Sequence, residues 1–220
     1  MIKYFKRKRV PTKTDGSLSI PIDFSAITLG QYIRWNTSKN PVDKCAAALD
    51  CSDQQVRKLN PESIQRIVTA FEQLVQNETQ LHLKFVDLNG RRYGFIPDMD
   101  MMSADEWIDL DEFCKMVYDP IKPQLEKLTC IMAVLYRPMK TKLGSRYTIA
   151  TYTGEEQYAN AADINQLSMS VVNAALLFFS SFEIDLLHSS LEYMMQVAKE
   201  EGMNLKHLQQ STLINGDGSI

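Results

Sequence analysis

Seven carboxylates crowd one short stretch of this chain: Asp98, Asp100, Asp105, Glu106, Asp109, Asp111 and Glu112. Carboxylates can hold Mg²⁺ or Ca²⁺, but such ions need several oxygens converging on one point. The spacing here does not follow the 12-residue EF-hand loop. Asp98 and Asp100 precede a helix start at Ser103, and Asp105 and Glu106 fall in its first turn. Negative side chains there complement the helix dipole and close the cap. Capping and solvation therefore account for the cluster, and a metal-dependent enzyme using Asp98, Asp100 and Asp109 stands as an alternative. The three histidines, His82, His188 and His207, lie far apart, whereas zinc needs three or four converging donors. Gly90, Gly94 and Gly144 lack the spacing of a phosphate loop or a dinucleotide fingerprint. No GxSxG or HExxH occurs. No catalytic residue, cofactor or metal is assigned.

The elements that carry these residues are legible. Leu81, Leu83 and Phe85 alternate with His82, Lys84 and Val86, as in a half-buried strand. Asn89-Gly90 tolerates the positive φ of a type I′ turn, so Arg91 to Ile96 is the return strand and Pro97 ends it. Ser103-Ala104-Asp105-Glu106 is a capping box. It opens a helix with Trp107, Leu110, Cys114, Val117 and Tyr118 on one face. Upstream, Ser19-Ile20-Pro21 leads to a second box, Thr28 to Gln31, again followed by an aromatic and Ile. Residues 19–35 and 95–110 thus read as two strand–capped-helix units. They are either an internal duplication, with two helices against one sheet, or two separate uses of a common cap.

Asn40-Pro41, Ser52 and Asn60-Pro61 each start a short helix. Ile64, Ile67, Phe71, Leu74 and Val75 form the stripe of the third. A helix from about Gln124 to Tyr136 is apolar nearly all round, which marks it as buried in the core or under a partner. Arg137-Pro138 should end it, leaving Lys140, Lys142 and Arg146 in a basic loop around Gly144. Tyr147 to Tyr152 reads as a strand at the edge of the hairpin sheet. Glu155 to Gln166 is weakly helical, with Tyr158 as anchor. A long helix follows from Ser168 to Glu201, with a break signal at Ser180-Ser181.

Composition excludes some classes. The chain has 220 residues, 45% hydrophobic and 23% charged, with net charge −3, so it is no general nucleic-acid binder. No apolar run is long enough to span a bilayer. The four cysteines, Cys45, Cys51, Cys114 and Cys130, sit singly and read as reduced thiols. Residues 1–16 form a basic, flexible leader whose Lys6, Arg7, Lys8 and Arg9 are candidates for contact with nucleic acid or an acidic partner. Residues 17–202 read as one domain and residues 203–220 as a flexible tail. Eleven methionines fill core gaps or furnish an adaptable surface.

Tyr93-Gly94-Phe95-Ile96-Pro97-Asp98, then Trp107-Ile108-Asp109-Leu110-Asp111, then Met132 to Pro138 resemble stretches of small proteins encoded among the structural genes of tailed bacteriophages. The box at Thr28 to Ile33 is similar to the opening box of the same proteins. These are packing and capping motifs, so the resemblance carries over no catalytic residues. It implies a non-enzymatic tail or baseplate-hub assembly chaperone, acting in the host bacterial cytoplasm. The alternative within the same class is a permanent component of the virion. The implied partners are other phage structural proteins, from the tail, baseplate, portal or capsid region, or a second copy of the chain. Candidate contact residues are Tyr32, Trp35, Trp107, Tyr118, Leu135, Tyr136, Leu176, Phe178 and Phe179. The expected fold is α+β: a small antiparallel sheet with a β-hairpin, covered by helices, with a long C-terminal helix.

Overall fold

The computed structural model describes residues 7–10, 18–99, 102–143, 146–181 and 194. The fold is α+β, as the patterning indicates. Two compact units divide the chain, Met1–Ala175 and Leu176–Ile220.

The first unit holds a four-stranded antiparallel sheet in sequential order: β3 (Phe85–Leu88), β4 (Arg91–Phe95), β5 (Tyr136–Leu143) and β6 (Arg146–Ile149). Asn89 and Gly90 turn the first hairpin with φ of 48° and 80°, the left-handed geometry that this dipeptide favours. The strand before the turn starts later than its alternation suggests. The Leu81 amide bonds to the Ser170 carbonyl rather than to a ladder partner. Val86 and Leu88 therefore face the core, while Leu81 is exposed. A one-residue change of face is what a misplaced period-2 register produces.

β5 is the strand that the sequence reading lacks. Helix α6 (Lys127–Leu135) runs without a loop into it, and Lys140 and Lys142 lie in β5 rather than in a basic loop. Pro138 sits inside this strand, opposite Tyr93. Its carbonyl accepts from the amide of Ala150, just past the end of β6, so its missing N–H faces a place where the ladder has stopped. Tyr147 to Tyr152 is correctly an edge, though β6 covers only Arg146–Ile149 and pairs with β5. Gly94 is required by this arrangement. A Cβ there would lie 2.8 Å from the Tyr147 ring and 3.0 Å from Ile149. The ring crosses β5 so that the Tyr147 hydroxyl can donate to the Phe95 carbonyl at 2.6 Å.

A helical layer precedes the sheet: α1 (Leu29–Thr37), α2 (Pro41–Leu49), α3 (Asp53–Val56) and α4 (Pro61–Gln76). The box at Thr28 and the caps at Asn40 and Asn60 form as read, and Ser52 precedes α3 with its amide donating to the Gln55 side chain. Trp35 stacks on Phe71 at 4.6 Å, joining α1 to α4. Gln31 closes its own box and is fully buried, its amide donating to the Ala47 and Ala48 carbonyls at the end of α2. One side chain thus caps the start of one helix and the end of another.

Helix α5 (Ala104–Val117) opens on the Ser103–Glu106 box. Its buried face is Glu106, Leu110, Phe113 and Val117, and Tyr118 is exposed rather than inward. The weakly helical stretch resolves into α7 (Glu156–Ala159) and α8 (Ala161–Ile164), where Ile164 is the buried anchor and Tyr158 is exposed.

Strand β1 (Arg7–Val10) pairs with β2 (Leu18–Pro21) in a separate two-stranded sheet. This corrects two expectations. Part of the basic leader is a paired strand, and the strand of the first strand–capped-helix unit, β2, does not share the hairpin sheet. The two strand–capped-helix units therefore sit against different sheets, so the duplication reading loses its shared sheet.

Backbone bonds stitch residues 27–30 to residues 165–169: Leu29 N–H to Leu167, Gly30 N–H to Asn165, and Met169 N–H to Ile27. Residues 169–175 are helical and close the first unit. In the second unit, residues 176–181 and Met194 are helical. The rest of the expected helix to Glu201, and the tail from 203, lie outside the described residues.

Candidate functional site

The described carboxylates of the acidic stretch do not converge on one point. Among the described residues no group of three or more His, Cys, Asp or Glu side chains is placed to hold a metal ion. Asp100, His188 and His207 lie outside the described residues. His82 packs edge-on against Phe95 at 5.5 Å. Instead the carboxylates are spent on separate tasks. Asp111 pairs with Lys115 on the outer surface of α5, and Asp109 accepts from the hydroxyl of Tyr152.

Glu106 is the member with the most demanding environment. One oxygen accepts from the Ser103 amide and hydroxyl, and the other is ion-paired with Arg137. Both side chains are only 7% exposed. Arg137 follows the buried apolar run of α6 and points from β5 toward the first turn of α5. Its guanidinium also lies over the Tyr152 ring at 5.8 Å. Its Nε has no acceptor among the described residues. Beside it, Glu156 is buried and accepts from the Thr153 amide and hydroxyl. This cluster joins α5, β5, residues 150–153 and α7. The sequence did carry one signal for it: an arginine directly after a helix apolar on all sides needs a carboxylate nearby.

The other sheet face carries a second clamp. The Tyr93 hydroxyl donates to Asp163 at 2.5 Å, and Asn89 donates to the same carboxylate at 2.7 Å. These two bonds hold Asp163 below the usual carboxylate range. Burial, then the bond to Asp163, push Tyr93 up to about 12. Burial raises Tyr136, Tyr147 and Tyr152 as well. A tyrosine whose folded pKa lies above its unfolded value of about 10 stabilises the fold fully below that pH. The contribution is lost as pH rises through the folded value. The expected outcome is base-induced unfolding that starts above pH ~10 and follows tyrosinate absorbance at 295 nm, with Tyr93→Phe removing part of the transition. Ordinary tyrosine titration with no accompanying loss of structure would contradict it.

The candidate partner residues divide by burial. Trp35, Leu135, Tyr136 and Phe179 are buried, so they are unavailable as a ready surface. Tyr32, Trp107 and Leu176 are half-buried, and Tyr118 and Phe178 are exposed. Arg7, Lys8 and Arg9 belong to β1, and Lys6 lies outside the described residues. The long helix face of α6 is core, with Ile131 to Leu135 fully covered. Exposed apolar side chains outside that candidate set include Ile108, Ile121 and Leu177. Ile121 sits on a turn in which Asp119 accepts from the Ile121 and Lys122 amides, at 2.8 Å each.

An open cleft of about 460 Å³ is lined by Thr28, Ile33, Arg34, Asp50, Glu126 and Asn165, among others. It lies at the start of α1, yet it is no anion cradle. The Leu29, Gly30 and Gln31 amides are already bonded to Leu167, Asn165 and the Thr28 hydroxyl. Arg34 is paired with Asp50 at 2.5 Å. The four cysteines are free, with Cys45 buried, and burial pushes its thiol up to about 12, which makes it inert. No helix among the described residues is long and apolar enough to cross a membrane. The fold and the clamps define an α+β protein whose buried charges serve cohesion. Comparison with known families, curated proteins and solved structures found no match.

Proposed function

We propose that this chain is a non-enzymatic assembly factor of a tailed bacteriophage, which binds another structural protein and covers an apolar surface on it until assembly replaces that contact. The motifs that resemble phage morphogenesis proteins support the reading. Two of them interlock here: Phe95 packs on Tyr136 at 5.1 Å, and Gly94 pairs with Arg137 across the sheet. Such a role asks for a stable frame and an accessible apolar contact rather than a catalytic centre.

The single observation that carries the contact is the adjacent pair Leu177 and Phe178, each about half exposed. Neighbouring exposed Leu and Phe on one helix are the type of apolar surface that marks protein contact. The test is co-expression of the tagged chain with the virion proteins encoded beside it. A stable complex that is weakened by Leu177→Asp with Phe178→Asp is expected, with the purified variant still folded. The reading fails if no neighbouring virion protein co-purifies. Mass spectrometry of finished particles then separates a chaperone, absent from them, from a component that stays.

A further inference from the structure

The outer face of α5 is chemically self-complementary. Ile108 is 60% exposed and Tyr118, the residue that caps the helix, is 66% exposed. Between them lies the Asp111–Lys115 pair, joined at 2.6 Å with side chains 57% and 74% exposed. These four positions follow a 3-4-3 spacing, the seam spacing of paired helices. At about 100° per residue Ile108, Asp111 and Lys115 fall within about 60° of the helix circumference, opposite the buried face of Glu106, Leu110, Phe113 and Val117, and Tyr118 follows directly at the C-cap.

The order along the stripe is apolar, acidic, basic, apolar. Both the outer pair and the inner pair are centred on the level of residue 113. A two-fold axis at that level, perpendicular to the helix, sets a second α5 antiparallel to the first. Ile108 then meets the second copy's Tyr118, and Asp111 meets its Lys115. Each intrahelical ion pair stays intact and gains a partner, making a ring of four alternating charges. A parallel pairing would instead place Asp111 on Asp111 and Lys115 on Lys115. Ile121, exposed just past the helix end, adds apolar area at both ends of the antiparallel pair.

We propose that the outer face of α5 is a self-association surface, whose occupant is α5 of a second copy of this chain in antiparallel, two-fold orientation. An isologous contact of this kind closes on itself and stops at a dimer. The inference is independent of the phage reading and of the Leu177–Phe178 contact. Two helices of this length form a modest interface, so the dimer is concentration-dependent and is weakened by salt through its central charges.

Sedimentation of the full chain over a wide concentration range tests it, with unfolding curves confirming that each variant is folded. The parent should show a reversible monomer–dimer equilibrium. Asp111→Lys puts four like charges at the centre and should weaken association roughly ten-fold or more. Lys115→Asp should do the same with the opposite sign. An equimolar mixture of these two variants should recover the dimer as a heterodimer, because each lysine again meets an aspartate. Ile108→Ser tests the apolar ends without touching charge. A parent that stays monomeric at every concentration would overturn the proposal. So would a dimer indifferent to both charge variants, or variants that do not recover on mixing.

Discussion

Arg137→Met is expected to destabilise the protein by about 3–5 kcal/mol, the range for breaking a buried ion pair by removing one partner. The reason is the group left behind. Glu106 and Arg137 are both almost wholly covered, so deleting the guanidinium strands a carboxylate in low dielectric with only the Ser103 donors beside it. The ring of Tyr152 would also lose the cation above it. Urea unfolding at neutral pH measures the loss as a fall in midpoint. The decisive comparison is the double variant Glu106→Gln with Arg137→Met. Glutamine can still close the capping box with the Ser103 amide, and neither member of the Glu106–Arg137 pair is left as an unpaired charge. It should regain most of the lost stability, because a buried ion pair is costly to halve but often cheap to replace whole. If the single and double variants lose the same amount, packing of the arginine stem rather than its charge holds this corner.

Much of this architecture was legible because its signals are local. A Ser or Thr followed at three residues by Glu or Gln, an Asn before Pro, and Asn-Gly between strands each carry their own hydrogen-bond logic. All of them form where the sequence places them. The failures come where a distant segment decides. Leu81 looks like the start of a strand until the chain at Ser170 takes its amide. Lys140 and Lys142 look like a loop because a helix end and a proline precede them, yet Tyr136 to Pro138 pair with β4 and the strand continues from Met139 to Leu143 against β6. Glu106 looked like a cap and nothing more. Its second oxygen belongs to an arginine 31 positions away, a pairing that no local pattern specifies. Gln31 repeats the lesson, since its role at the end of α2 depends on a helix that follows it. The outer face of α5 was misread for a related cause. Tyr118 follows the apolar stripe in sequence but stands just beyond the helix end, and Phe113 takes the inward place.

Tyr136→Ala is expected to cost about 3–5 kcal/mol, the range for truncating a fully buried aromatic. Its burial is complete, its ring stands edge-on to Phe95, and its hydroxyl donates to the Leu83 carbonyl at 2.8 Å. Removing it opens a void where α6 becomes β5 and also leaves that carbonyl without its donor. Tyr136→Phe keeps the ring and should cost only about 0.5–1.5 kcal/mol. The pair of variants separates two roles that the residue type alone does not distinguish. An aromatic that anchors a partner would leave the free protein's unfolding midpoint unchanged when truncated, and would weaken only the complex. One that fills the core lowers the midpoint of the isolated chain before any partner is added. The position of Tyr136 predicts the second result. Any loss of partner binding in Tyr136→Ala should then track the fraction unfolded, and it should disappear when the comparison is made at a temperature where the variant is still folded. Partner loss in a fully folded Tyr136→Ala would instead return the residue to the contact surface.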